Sequence, residues 1–223
     1  SSSCWMISVI QALRASDAFR KEYAPSSNET NALKKELFRL FDIAEGKNGR
    51  KRRPVKPEEI RSYKRLAIEK GLRAKMDRGY REKPFLRFLL KNFAAKPVEY
   101  LYSSSAKKKK ETILSIRLTN TLEQRSLQEL IQKQKITFAN KAKAPKFLPV
   151  YLIRPIEENY NDKHDQPGES SRTPVAPSNT LEIPIAKNMG YARYKLVSIV
   201  IGRDSIEHAY SYVLEKGAWV EYN

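Results

Sequence analysis

The chain has 223 residues, of which 40% are hydrophobic and 10% aromatic, so it is long enough for one buried core and indicates one domain. Its 43 lysines and arginines against 25 acidic residues leave a net charge of +18, which attracts acidic partners. No apolar stretch approaches the roughly 18 residues of a membrane span, and a single cysteine excludes both an internal disulfide framework and a CxxC zinc site. We therefore expect a cytosolic or nuclear setting. The chain opens on Ser1 without a methionine, so we also expect a fragment.

The first half of the chain predicts helices. From Trp5 to Leu13, apolar residues recur at spacings of three and four, which indicates a helix that starts at Cys4. A second amphipathic stretch covers Asn31 to Ile43, and Lys56 to Glu59 opens a third with proline and acidic residues in its first turn. The apolar run from Pro84 to Phe93 predicts one more buried helix.

The second half predicts mainly strands. A short helix from Ser126 to Lys133 interrupts them, with Ser126 as its N-cap and Glu129 in the capping-box position. The longest loop is expected over Glu157 to Asn179, which is polar and nearly free of apolar residues. The strand predictions rest on short β-branched or aromatic runs at Val98 to Tyr102, Thr112 to Leu118, Phe147 to Ile153, Thr180 to Ile185, Tyr194 to Ile201 and Ala209 to Leu214.

Helices followed by strands favour the α+β class. We expect a single domain over residues 1–223, mainly helical over 1–95 and mainly β over 96–223.

Nucleophiles and bases are few, because the chain has one cysteine and two histidines. Cys4 at a helix start would feel the positive end of the helix dipole, which favours a thiolate. His164 lies in the polar loop, where it would be solvated and poorly held, whereas His208 directly precedes a predicted strand. A carboxylate or amide that accepts the second imidazole N–H completes such a site, and Asn223 is a candidate.

A hairpin with its turn at Lys216-Gly217 would bring His208 and Asn223 opposite each other on adjacent strands. The spacing thus fits a Cys-His-Asn site. Each residue also has a plainer interpretation: a lone cysteine on an apolar helix is commonly a small core residue, and His208 can be a structural histidine. Asn223 is also simply the last residue of this chain.

The run Cys4-Trp5-Met6-Ile7-Ser8-Val9-Ile10-Gln11-Ala12-Leu13 resembles the cysteine box of the ubiquitin-specific proteases, and only Ile7 departs from the usual form. The far end resembles the histidine box of that family, in three segments. Weaker family landmarks lie between the two boxes, so the resemblance spans essentially the whole chain. The histidine-box segments are Tyr194 to Gly202, His208 to Val213 and Trp219 to Asn223, and the weaker landmarks are Ser126 to Ile131, Phe147 to Leu152 and Leu181 to Pro184.

The resemblance implies a papain-like fold with a helical thumb, a β-sheet palm and fingers, and it implies cleavage after the C-terminal glycine of ubiquitin. It assigns Cys4 as nucleophile, His208 as general base and then acid, and Asn223 as orienting residue. The backbone N–H of Cys4 would stabilise the oxyanion. The residues expected to border the substrate are Trp5, Gly202, Glu207 and Tyr210. No cofactor or catalytic metal is implied.

Several features depart from the family pattern. The family asparagine that precedes the cysteine would fall before Ser1, and one cysteine cannot supply the finger zinc site, so we expect short, metal-free fingers around Tyr102 to Lys110. Glu207 stands where the family commonly has glycine, and Ala209 where it has an aromatic residue. Tyr80 to Phe85 poorly match the acidic, glutamine-rich helix start of the family.

Two loops, Glu157 to Asn179 and Gly202 to Glu207, correspond by position to the blocking loops that border the substrate tail, and we expect both to move on binding. Basic clusters occur at Lys47 to Arg53, Lys107 to Lys110 and Lys141 to Lys146. They are either solvated loop charge or contacts to an anionic membrane or nucleic acid.

Four other interpretations stay open. The chain could cleave another modifier, such as NEDD8 or a SUMO-like protein, or bind a modifier without cleaving it. It could be a basic nucleic-acid-binding module. Its compactness and lysine content also fit a bacterial effector acting in a host cell.

Overall fold

A computed structural model describes residues 3–102, 105–118, 123–140, 144–153, 174–202 and 208–223, with the side chains of residues 105–107 left out of the description. These ranges contain helices in the first part of the chain and mainly strands thereafter, which confirms the α+β class. The helices are α1 (Cys4–Ala15), α2 (Asp17–Tyr23), α3 (Ala32–Glu45), α4 (Pro57–Glu69), α5 (Glu82–Asn92) and α6 (Leu127–Lys133).

The strands form small sheets that are mostly antiparallel. β1, β2 and β5 form one three-stranded sheet and β10, β11 and β12 another, while β3–β6, β4–β7 and β8–β9 are pairs. The strand bounds are β1 (Val98–Tyr102), β2 (Ser105–Glu111), β3 (Leu114–Arg117), β4 (Arg125–Ser126), β5 (Thr137–Phe138), β6 (Val150–Ile153), β7 (Val175–Ala176), β8 (Thr180–Pro184), β9 (Tyr191–Lys195), β10 (Ser198–Gly202), β11 (Ala209–Glu215) and β12 (Ala218–Tyr222).

Local sequence signals explain where the helices begin and end. The side chain of Asn31 caps α3 by accepting from the Lys34 N–H, and Gly46 ends that helix in the left-handed conformation with φ of 69°. Ser126 and Glu129 form the predicted capping box of α6. The sequence patterns did not predict α2, which is 7 residues long and begins with Ser16 as its cap.

The chain divides into two compact units. The first comprises Ser1–Ala95 with Val197–Asn223, and the second comprises Lys96–Leu196. The single strand predicted over Tyr194 to Ile201 is wrong, because it is split into β9 in the second unit and β10 in the first. The backbone N–H of Leu196 bonds to Asn179 on one side of this split, whereas Val197 accepts from Leu214 on the other.

The core of the first unit is formed by the apolar faces of its helices. Buried residues on α3 recur at Leu33, Leu37, Leu40 and Phe41, which is the helical spacing seen in the sequence. The largest fully buried apolar side chains on the other helices of this unit are Trp5, Met6, Phe19, Tyr63 and Phe85.

The second unit has its own core, centred on strands. Phe138 and Tyr100 are fully buried there, and their ring centroids are 5.4 Å apart. The cluster includes residues of β1, β3, α6 and β8. None of the helices in the described ranges is long and apolar enough to cross a membrane.

Candidate active site

Cys4 is the first residue of α1 and is 9% exposed. The carbonyl of Ser3 accepts hydrogen bonds from the N–H groups of Met6 and Ile7, each at 3.0 Å, which begins the helix at this point. The Ser3 side chain does not cap the helix. Cys4 therefore lies where helical N–H groups carry the positive end of the dipole, as its place in the sequence predicted.

Helix α1 packs on strands β10 and β11. The hydroxyl of Ser198 on β10 donates to the carbonyl of Ala12 at 3.2 Å, and Ser198 pairs with Val213 on β11. Further along, Arg14 binds Glu215, with 2.7 Å between Nη2 and Oε1. Ala12 thus contacts Ser198, the strand partner of Val213, and Arg14 contacts Glu215, so α1 and β11 run in the same direction.

This parallel arrangement puts the beginnings of the two elements at the same end. Cys4 lies eight residues before Ala12, which is about 12 Å along a helix. His208 lies five residues before Val213, which is about 17 Å along a strand. The two predicted reactive residues are 204 positions apart in the sequence. Cys4 begins α1 and His208 directly precedes β11, so both lie toward the same edge of the helix–sheet pair.

Asn223 follows β12 in the hairpin that β11 begins. The turn residues Lys216 and Gly217 have φ of 49° and 85°, the combination of a type I′ turn, and Glu215 pairs with Ala218 across it. This tight turn sets the register so that Ser211 pairs with Tyr222. Asn223 is consequently the next residue along, beside Tyr210.

This register corrects one prediction from the sequence. Asn223 does not lie directly opposite His208 but two residues further along the hairpin. The reason is the two-residue turn. It pairs Glu215 with Ala218, and this pairing fixes the register of all other residues on β11 and β12. Strand alternation nevertheless places His208, Tyr210 and Asn223 on the same face of the hairpin.

The imidazole of His208 is half-buried and stacks on Tyr210, with 6.2 Å between ring centroids and 27° between planes. Tyr210 in turn makes an edge contact with Tyr212 at 5.7 Å. Ala209, Ser211 and Val213 alternate with these residues and are buried. Tyr210 therefore restrains the orientation of the His208 ring.

Trp5 lies behind Cys4 and is 1% exposed. Its ring makes edge contacts with Tyr80 at 5.4 Å and with Phe85 at 5.2 Å between centroids, and the Lys64 ammonium lies 5.4 Å from its centroid. Direct contact of Trp5 with a substrate would require the ring to leave this core. No sequence motif marks Lys64, which occupies an apolar position in the helical pattern of α4.

Gly202 ends β10 and is exposed. A Cβ atom at this position would come within 3.1 Å and 3.2 Å of the two carboxylate oxygens of Glu82, at the start of α5. No sequence motif marks Glu82 either. The absence of a side chain at Gly202 therefore leaves space next to the Glu82 carboxylate.

Some predicted site residues lie outside the described part of the chain. They are Glu207, residues 157–173 of the first predicted blocking loop, which include the poorly held His164, and residues 203–207 of the second. Within the described residues, no group of three or more His, Cys, Asp or Glu side chains is arranged to hold a metal ion.

Comparisons with known proteins identify the family of the chain. The model of the family described as "Ubiquitin carboxyl-terminal hydrolase" matches residues 1–223. A search of curated proteins gave no significant match.

The solved structures that resemble the chain share its fold at low sequence identity. The yeast SAGA deubiquitinating module has a TM-score of 0.64 at 12% identity and covers 100% of this chain and 61% of its own. A second SAGA structure, of Ubp8 with Sgf11, Sgf73 and Sus1, has a TM-score of 0.62 at 13% identity, with 100% and 60% covered.

The pseudoubiquitin hydrolase–RNA exonuclease module of Saccharomyces cerevisiae Pan2 has a TM-score of 0.58 at 14% identity, with 100% and 47% covered. The chain therefore spans about three fifths of the length of the SAGA structures and about half that of Pan2. At these identities the likeness shows the fold.

Proposed function

We propose that this chain, which belongs to the ubiquitin carboxyl-terminal hydrolase family, is a cysteine-type deubiquitinase that hydrolyses the isopeptide bond after the C-terminal glycine of ubiquitin. Cys4 is the nucleophile, His208 the general base and acid, and Asn223 the residue that orients the imidazole. The observation that supports the proposal is the parallel packing of α1, which begins at Cys4, on β11, which His208 directly precedes.

The chemistry follows from these roles. The Cys4 thiolate attacks the carbonyl carbon of the glycine, and the resulting oxyanion accepts a hydrogen bond from the Cys4 backbone N–H. The C–N bond breaks as protonated His208 gives its proton to the leaving lysine amine, and a thioester remains on Cys4. His208 then takes a proton from water, which attacks the thioester and releases the ubiquitin carboxylate and the Cys4 thiolate.

The substrate tail is proposed to pass over the ends of β10 and β11. Gly202 ends β10 without a side chain, and the Glu82 carboxylate beside it offers an acceptor to basic groups. Tyr210 contributes by holding His208. The two predicted blocking loops, the second of which ends at Glu207, are proposed to border the tail and to move when it binds.

The test is labelling with ubiquitin that bears a thiol-reactive group at its C-terminus, read by intact mass. The wild-type chain is expected to gain the mass of one ubiquitin, since it has one cysteine. Cys4→Ala should remove the adduct, and His208→Ala and Asn223→Ala should slow its formation. Parallel samples with NEDD8 and a SUMO-like modifier identify the modifier.

Two results contradict the proposal. One is a folded wild-type chain that reacts with small thiol reagents but with no ubiquitin-type probe. The other is a His208→Ala variant that labels at the wild-type rate, because the imidazole would then have no part in the reaction.

A second candidate is a protein that binds a modifier without cleaving it. This alternative is favoured by the likeness to a structure described as a pseudoubiquitin hydrolase and by Ala209 at a usually aromatic position. It predicts that Cys4→Ala binds ubiquitin as tightly as the wild type and that the wild type hydrolyses no ubiquitin conjugate.

The basic clusters are proposed to serve acidic partners rather than catalysis, in a cytosolic or nuclear setting. Arg50, Lys51 and Arg52 are exposed, whereas Arg53 is paired with Glu59. In the second unit Lys108 and Lys110 approach Glu99, at 4.0 Å and 3.3 Å between charged atoms. The loop over residues 50–52 is therefore the better candidate for an anionic surface or nucleic acid. Replacing its three cations with glutamine should weaken binding to RNA or to anionic vesicles.

A further inference from the structure

Lys64 occupies a core position of α4. The buried residues of this helix are Ile60, Tyr63, Lys64 and Ala67, which have the spacing of an apolar face. Leucine or methionine would satisfy this pattern, yet the position holds a lysine that is 0% exposed. Lysine is almost never fully buried unless its charge is compensated, because removing an ammonium group from water is costly.

The contacts of Lys64 compensate that cost. Its ammonium donates to the carbonyls of Met76 at 3.0 Å and Arg78 at 3.1 Å. It also lies 5.4 Å from the centroid of the Trp5 ring, a cation–π distance. Two carbonyl oxygens and an aromatic ring, all of which favour a cation, thus surround the Lys64 ammonium, which has three N–H donors.

These contacts connect Lys64 to the beginning of α1. Trp5 follows Cys4 directly, and its ring is held between the Lys64 ammonium and the edge contacts of Tyr80 and Phe85. The carbonyls that bind Lys64 belong to the segment that leads into Tyr80. The lysine therefore contacts both the Trp5 ring next to Cys4 and the backbone that leads into Tyr80, whose ring packs on Trp5.

Lys64 also interacts electrostatically with Cys4. Burial lowers the pKa of Lys64, and the negative charges of Asp77 and of the Cys4 thiolate act in the opposite direction. Phe85, from α5, adds no charge. Other titratable groups near this end of the α1–β11 pair are Tyr80 on the Trp5 ring, Glu82 beside Gly202, and His208, which directly precedes β11.

We propose that Lys64 is a positioning residue for Cys4: its ammonium holds the Trp5 ring and the 76–78 backbone behind the start of α1 and supplies positive charge that stabilises the thiolate. The inference rests on the proposed function in taking Cys4 as the nucleophile. It adds a buried cation on a different helix as a determinant of thiol reactivity.

The test uses the single cysteine of the chain. Each carbamidomethyl group added by iodoacetamide reports Cys4, so intact mass gives the alkylation rate at a series of pH values. Lys64→Met keeps an unbranched apolar side chain and removes the charge, whereas Lys64→Arg keeps the charge. We expect Lys64→Met to alkylate more slowly at pH 7 and the midpoint of its pH profile to move upward, because the positive charge is gone. Lys64→Arg should recover most of the rate.

Lys34 supplies a matched control. Its ammonium also lies over an aromatic ring, 5.7 Å from the centroid of Phe93, and it is paired with Glu29 at 2.9 Å. Lys34→Met removes a similar cation–π contact on α3 and should leave the pH profile of alkylation unchanged. A folded Lys64→Met variant with the wild-type profile overturns the proposal.

A second measurement needs no substitution of Lys64. The coupling of the two groups is reciprocal, so removal of the thiolate must act on the lysine. Titration of the Lys64 Cε by ¹³C NMR should give a lower midpoint in Cys4→Ser than in the wild type. An unchanged midpoint overturns the proposal even if Lys64→Met does not fold.

The two proposals fail in different experiments. If ubiquitin probes leave the wild type unlabelled while iodoacetamide still shows the Lys64 dependence, the deubiquitinase proposal fails and the coupling stands. If ubiquitin labels Cys4 but the pH profile of alkylation is the same with and without the Lys64 charge, the coupling fails and the deubiquitinase proposal stands.

Discussion

The guanidinium of Arg14 and the carboxylate of Glu215 join α1 to the end of β11, with 2.7 Å between Nη2 and Oε1. Tyr222 completes the group, since its hydroxyl donates to the same carboxylate oxygen at 2.6 Å and accepts from Arg14 at 3.1 Å. This group holds the far ends of the helix and the hairpin together. Because α1 and β11 are aligned at these ends, it also helps to align their opposite ends, where Cys4 and His208 lie.

We predict that Arg14 and Glu215 are energetically coupled. Arg14→Met and Glu215→Gln should each destabilise the chain, and the double variant should lose less than the sum, with a coupling of about 1 kcal/mol because both side chains are partly buried. Urea unfolding of the four proteins measures this term. Strictly additive losses would show that the contact contributes nothing to the alignment.

The second prediction concerns stability at acid pH. Hydrogen bonds from Arg53, together with those from the Lys56 N–H and Arg39, lower the pKa of Glu59 from 4.5 to about 2 against the opposing effect of burial. A carboxyl group with a lowered pKa in the folded state stabilises that state above its unfolded pKa and loses this effect as pH falls. The contribution of Glu59 should therefore disappear between about pH 4.5 and pH 2.

Glu59→Gln isolates this contribution. We expect the variant to be less stable than the wild type by about 2 kcal/mol at pH 7. The difference should shrink as the pH falls below 4.5, because the wild-type carboxylate becomes protonated. Urea unfolding at a series of pH values checks this, and a difference that is independent of pH contradicts it.

The third prediction concerns the hairpin turn. Lys216 has a positive φ of 49° without being glycine, which strains a lysine, whereas asparagine adopts this conformation readily. Lys216→Asn should stabilise the chain by about 0.5 kcal/mol and raise its Tm without altering probe labelling, while Lys216→Ala should bring no gain. A lower Tm for Lys216→Asn would argue against this turn geometry.

The fourth prediction concerns the ring that stacks on His208. Tyr210→Ala removes the stacking surface, so the imidazole should populate other orientations and kcat on a ubiquitin substrate should fall roughly tenfold, as when a positioning contact is lost. Tyr210→Phe keeps the ring and should retain activity. Equal activities for all three proteins would mean that β11 alone orients His208.

Much of the local structure was predictable because its signals lie within a few residues. Asn31 and Ser126 mark helix starts, since a side-chain oxygen can accept a backbone N–H only from a residue two or three positions away. The cysteine and histidine boxes indicated the family in the same way, and the family match confirms that resemblance. Helix α2 was not predicted because its 7 residues make only about two turns, too few for a repeating apolar pattern to be recognised.

Two features were decided by pairing between distant parts of the chain. The split between β9 and β10 depends on Leu196 bonding to Asn179 while Val197 bonds to Leu214, and no local pattern separates two adjacent apolar residues. The position of Asn223 beside Tyr210 depends on a tight turn whose φ values the residue types alone do not require.

The sequence by itself determined the secondary-structure class, the caps and the family, because these depend on residue types at short spacing. Only the tertiary structure decided that α1 runs along β11 and that Lys64 is buried beside Trp5. A lysine in an apolar helical position looks like an exposed residue until its partners are known. Here those partners are two carbonyls and an aromatic ring from other segments, and they compensate the burial of the charge.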